Sequence, residues 1–187
     1  FNVAFEGLMG RGGPIPAGDM TAFANFILTV TYPPNPIRAL DNSLTADETA
    51  GQVFYFNPVP SDVFQSCNGC HAVNPPSGFF GSDGFSSFEF EAQLFKIPHL
   101  RNMYQKVGMF GLPAIPFVNT GDNGATGDQV RGFGFLHDGS IDTLFRFHHA
   151  TVFNQTNPGG SPIPNPGGFP DGADGDVIRR QVEAFVL

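Results

Sequence analysis

Five stretches of the chain carry apolar residues at helical spacing, and the segments between them are rich in turn formers. In residues 18–30, GDMTAFANFILTV, Met20, Phe23, Ile27 and Val30 recur near one face, with Asp19 predicted as the N-cap. The run TYPPNPIR stops that helix, because proline lacks an amide proton and keeps the residue before it out of helical geometry. Residues 45–56, TADETAGQVFYF, open on a capping box, Thr45 with Glu48 three residues on, and set Ala50, Val53 and Phe54 on one side. PHLRNMYQKV (98–107) predicts a helix with Pro98 in its first turn, and SIDTLFRFHHATVF (140–153) predicts one starting at Ser140. DGDVIRRQVEAFVL (174–187) places Ile178, Val182, Phe185 and Val186 on a common face. Nothing alternates long enough to predict a sustained strand, so the expected fold class is mostly α.

Composition adds the loops. Gly and Pro together supply 24 and 17 of the 187 residues, and both weaken helix and strand interiors. Long ordered loops around a modest helical core follow, above all 111–136 and 154–173. Formal charge is -8, which disfavours nucleic acid and anionic membrane and suits a basic protein surface. No apolar run reaches the roughly 20 residues that span a bilayer. The 22 Phe residues fill a core or enclose something large and flat. A start at Phe1 and an end in EAFVL read as a mature or clipped segment of a longer protein.

Both cysteines of the chain fall in FQSCNGCHAV, as Cys67-Asn68-Gly69-Cys70-His71. A disulfide between them would close too small a loop to stabilise much. A structural zinc site wants four ligands, and a second cysteine pair is missing. A thioredoxin-like pair belongs to a βαβ context that the pattern does not offer. The spacing C-x-x-C-H is that of covalent haem attachment, in which the thiols add to the haem vinyl groups and the adjacent histidine faces the iron. One haem c, tethered by Cys67 and Cys70 with His71 as proximal ligand, is therefore the expected cofactor.

With these residues in place, TADETAGQVFYF…CNGCH and the closing DVIRRQVEAFVL resemble the first helix, attachment site and last helix of a class I cytochrome c domain. The resemblance implies that these helices cross, with Gly51 and Tyr55 at the contact opposite Phe185. Over residues 45–187 there is a narrower resemblance. FKIPHLRNMY and FLHDGSIDTL are similar to the K-x-P-x-L-R-N and F-H-D-G-x-x-x-T-L motifs of the C-terminal haem domain of bacterial di-haem cytochrome c peroxidases and their MauG-like relatives. MTAFANFIL also echoes RRQVEAFVL. Residues 1–38 are thus expected to be the closing helix and linker of a preceding haem domain, and 39–187 a cytochrome c-like haem domain. The chain departs from that family in the insertion GLPAIPFVNTGDNGATGDQVRGFG between the two motifs, and in Thr151 where the family places a distal Met or Tyr.

The second axial ligand must then come from elsewhere. Met109, on the Gly-flanked KVGMFG, is the first candidate, with His149, His148 and Met103 as alternatives. The resemblance makes His137 an organising residue near the haem and Arg101 a partner for a haem propionate. His137, Asp138 and His148 are the candidates for proton transfer if the haem were open to peroxide. NTGDNGATGD and PDGADGD carry oxygen ligands that suit Ca²⁺, though turn chemistry alone accounts for them. Electron transfer through a His/Met haem is the expected function, within a larger peroxidase-like protein that includes a redox partner or second haem domain. The alternatives are peroxide reduction at an open haem and a structural haem-bearing subunit. C-type maturation in the resembled family implies a periplasmic or extracellular bacterial location.

Overall fold

The computed structural model describes residues 2–30, 34–77, 79–81, 86–87, 95–108, 132–136, 138–156 and 158–187. Its regular structure is mostly α, with six helical segments among the described residues and only two-residue strands. The chain divides into two compact units, Phe1–Asn35 and Pro36–Leu187. Arg38, just before the expected division at 38/39, lies in the larger unit. Its guanidinium donates to the Phe185 carbonyl and lies 5.8 Å from the centroid of that ring.

The small unit holds α1 (Asn2–Gly7) and α2 (Ala17–Thr29). The Asn2 side chain clasps Ile15, accepting from its amide at 2.8 Å and donating to its carbonyl at 3.0 Å. Helix α2 begins one residue before its expected segment, with Pro16 as a cap that contributes no side-chain bond. Asp19 is therefore not the N-cap but a first-turn acid, where it faces the positive end of the helix dipole.

In the large unit, α3 (Ala46–Tyr55) starts as its sequence predicts. Thr45 Oγ1 accepts from the Glu48 amide at 3.2 Å, and the Glu48 carboxylate accepts from the Thr45 amide at 2.6 Å. The closing helix α6 (Gly172–Val186) lies against α3 in the most extensive contact between elements. Gly51 makes this approach attainable, since a Cβ there would sit 2.0 Å from the Gln181 carbonyl oxygen. Tyr55 is buried at the same crossing, its ring centroid 5.3 Å from that of Phe185. Phe169, just before α6, is fully buried and stacks on Phe54 at 4.6 Å. A second cluster joins Met103, Val107, Phe135, Ile141 and Leu144, with Val186 and Leu187 packed against it.

Two expected helices are replaced by shorter pieces. Residues 98–107 give only a 3-10 turn, Met103–Lys106, because Asn102 takes a left-handed conformation (φ 55°) that Asn tolerates and that no helix continues through. Residues 140–153 split into α5 (Leu144–Phe147) and a 3-10 turn, Thr151–Phe153. Ile141 is instead bridged to Phe135, Thr143 caps α5 by accepting from the Arg146 amide at 3.2 Å, and Ala150 leaves helical geometry (ψ 130°). Helix α5 docks on α6 through Glu183, which accepts from the Phe145 amide at 2.9 Å.

Two substitutions test this frame. Gly51→Ala forces a methyl group against backbone that cannot swing aside, so denaturant unfolding should show a loss of about 3 kcal/mol. Thr45→Ala should cost about 1 kcal/mol at neutral pH. The bond from the Thr45 amide holds the Glu48 carboxyl below its ordinary range. A depressed carboxylate stabilises above its unfolded pKa and loses that contribution as pH falls through its folded pKa. The gap between wild type and Glu48→Ala, which removes that bond, should therefore narrow below about pH 4.

Candidate functional site

The C-x-x-C-H segment folds as a single helical turn, α4 (Cys67–Cys70), because Ser66 caps it by accepting from the Gly69 amide at 3.1 Å. The His71 amide closes the turn on the Cys67 carbonyl at 2.8 Å. The two cysteines are not joined to each other, and both are half-buried. Burial pushes the Cys67 thiol up, with the Ser61 hydroxyl 3.5 Å from its sulfur opposing that shift. The thiol is thus held as S–H at neutral pH.

His71 is oriented from two directions. Its Nδ1 lies 3.0 Å from the Pro98 carbonyl oxygen, which only accepts, so Nδ1 carries the proton and the lone pair is left on Nε2. The Tyr55 hydroxyl donates to the His71 carbonyl and ties the turn to the α3–α6 crossing. Burial lowers the His71 pKa, while hydrogen bonds to the carbonyls of Pro98 and Gly81 pull the other way. The ring is therefore neutral, the form that binds metal.

The approach to the turn is strained and stapled. Val63 sits at φ 77°, a left-handed conformation that β-branched residues rarely adopt. Its amide donates at 3.1 Å to Asn165 Oδ1, and Asn165 is 1% exposed. The Asn165 amide group donates to the carbonyls of Ser61, Val152 and Asn154 at 2.9, 3.2 and 3.1 Å. One side chain thus fixes the loop before Cys67 to the segment after α5.

The sequence candidates separate. Met109 and His137 lie outside the described residues. Met103 is enclosed in the core cluster with Val107, Phe135, Ile141 and Leu144. Asp138 is exposed and accepts from the Ser140 amide at 3.0 Å, a turn-forming role. Arg101 is half-buried, its guanidinium 3.8 Å from the centroid of the Phe80 ring. His149 Nε2 is 3.1 Å from Asp176 Oδ1, and its side chain is 32% exposed. His148 is buried, and its Nδ1 has no hydrogen-bond partner among the described residues. Of PDGADGD, Asp171 stands at the N-cap position of α6 without a side-chain cap bond and accepts from Thr156, while Asp176 pairs with Arg179 at 3.1 Å. NTGDNGATGD lies outside the described residues.

Pro98 and Asn165 are the site residues that periodicity passes over. Pro98 was readable as a helix start, yet it acts through its carbonyl, which hydropathy does not register. Asn165 stands in a Gly/Pro loop where a turn former is unremarked.

The donor set fits a covalently held haem: two unjoined thiols flanking one helical turn, an adjacent imidazole with Nδ1 engaged, and a buried imidazole nitrogen left without a partner. A scan against family models, a search of curated proteins and a search of solved structures each find no match.

Asn165→Ala would strip partners from three carbonyls and one amide at once. It should lower the unfolding free energy by about 2–4 kcal/mol in denaturant titration, well above the cost of a typical surface substitution.

Proposed function

We propose that the chain is an electron-transfer domain built on one covalent haem c. The observation that carries this reading is the Cys67–His71 turn with His71 Nδ1 held by the Pro98 carbonyl, which presents Nε2 to a metal beside two thiols. When bound, such a haem supplies reversible one-electron exchange between ferric and ferrous iron. Cys67 and Cys70 would hold it, each thiol adding across one vinyl group, and His71 would bind the iron. The Pro98 and Tyr55 contacts fix the plane and position of that imidazole and so limit the rearrangement that a change of charge would demand. Arg101, beside Phe80, is the residue to pair with a propionate.

The crossing of α3 and α6 at Gly51 and Tyr55, opposite Phe185, supports a cytochrome c-like fold for residues 39–187. The motifs 95–104 and 135–144 support the narrower likeness to a C-terminal peroxidase haem domain, with 1–38 as the closing helix and linker of a preceding one. A redox partner with a basic face suits the formal charge of -8. No helix among the described residues is long and apolar enough to cross a membrane. The periplasm or cell exterior is the proposed location, where c-type maturation takes place. Membership of a larger assembly is favoured by α2, on which Phe26, Ile27 and Leu28 are 63%, 48% and 83% exposed.

Mass spectrometry of the protein matured in a c-type-competent host should show one added haem, lost when Cys67 and Cys70 are both replaced by Ser. The ferric spectrum should be low-spin, indifferent to cyanide and peroxide, and should titrate as a one-electron couple. A high-spin spectrum that shifts with either reagent would place peroxide reduction first.

A further inference from the structure

We propose that His148 binds the haem iron on the face opposite His71, making this a bis-histidine haem. The inference rests on the haem reading above.

The argument begins with an unsatisfied atom. His148 is 9% exposed, and its Nδ1 is buried with no hydrogen-bond partner among the described residues. Its backbone leaves nothing unmet: the amide donates to Leu144 at 2.8 Å and the carbonyl accepts from Arg179 Nε at 3.1 Å. The unmet demand belongs to the ring alone. A neutral imidazole always carries a lone pair on one nitrogen, and interiors rarely leave such a group idle.

The surroundings suit a metal better than a proton. The ring sits beside Phe147 and Phe169, at centroid distances of 5.9 and 5.3 Å, with interplanar angles of 61° and 36°. Those rings pin its orientation and offer no acceptor. Burial pushes the His148 pKa down to about 3, opposed by a backbone hydrogen bond at Arg179 and aided by the Arg179 charge, so the ring stays neutral across the physiological range.

The competitors among the described residues are otherwise engaged. Met103 is closed in by Val107, Phe135, Ile141 and Leu144, and His149 faces Asp176 at 3.1 Å near the surface. Thr151 is a poor iron ligand. A His148 ligand also gives a consequence that a Met ligand does not: two imidazoles leave the ferric state better stabilised than a thioether does, so the reduction potential lies below that of a His/Met haem.

The experiment uses the matured full chain, with haem content fixed first by mass. Ferric electron paramagnetic resonance and the red optical region are then read for wild type, His148→Ala, His148→Met, His149→Ala and Met109→Ala. Wild type is expected to be low-spin with a bis-imidazole signal and no methionine-to-iron band. His148→Ala should turn high-spin and return to low-spin when free imidazole is added. His148→Met should stay low-spin, gain the methionine band and raise the reduction potential, a readout that survives if the Ala variant folds poorly. His149→Ala and Met109→Ala should leave the wild-type signal in place. A methionine band in wild type that vanishes in Met109→Ala would overturn the inference, as would a high-spin wild type or loss of the low-spin signal in His149→Ala alone. If no haem is attached, the functional reading fails and this inference with it. If haem is attached but His148→Ala stays low-spin, the inference alone fails.

Discussion

The closeness of α3 to α6 at Gly51 is the constraint on which the large unit depends. A backbone carbonyl, that of Gln181, occupies the space in which any side chain at residue 51 would begin. Only with the helices this near does Tyr55 reach its buried place beside Phe185. From there its hydroxyl bonds the His71 carbonyl, so the geometry of a helix crossing is handed directly to the Cys67–His71 turn. The apolar contact and the chemistry of the site are therefore one structure. Neither can loosen without the other.

The second support reaches the site from loops, not helices. Asn165 gathers four backbone groups from two distant segments and holds Val63 in a conformation it would not choose. In a chain so rich in Gly and Pro, buried backbone in irregular segments must find partners outside ladders and helices. A buried Asn, with two donors and an acceptor on a short stem, supplies several at once. The same logic explains Pro98, whose carbonyl is freed for His71 because the segment around it is not helical.

Helices α3 and α6 were legible in the sequence because both carry their own signals, a capping box in one and a sustained apolar face in the other. The turn at Cys67–Cys70 stood out in the sequence because the residues of C-x-x-C-H are adjacent in the chain. The segments 98–107 and 140–153 misled for a physical reason. Their helical spacing is real, but Asn102 and the Phe135–Ile141 bridge each offer the backbone an alternative that local periodicity does not weigh. Contacts between residues far apart in sequence, such as His71 with Pro98 or Val63 with Asn165, leave no local trace at all. Burial of His148 belongs to the same class, since nothing in FRFHHATVF tells which of two adjacent histidines turns inward.

The adjacent histidines follow α5 in a turn, and α6 treats each differently. Asp176 meets His149 at 3.1 Å near the surface. One turn on, Arg179 is 3% exposed and bonds the His148 carbonyl, Asn154 and Asp176, with its guanidinium 5.0 Å from the centroid of the Phe169 ring. A buried cation beneath His148 penalises a second positive charge there, and the enclosing aromatic rings penalise any charge. The helix that closes the fold against α3 therefore also divides the labour of the histidine pair. Asp176 holds His149 near the surface, and His148 is kept in its neutral form.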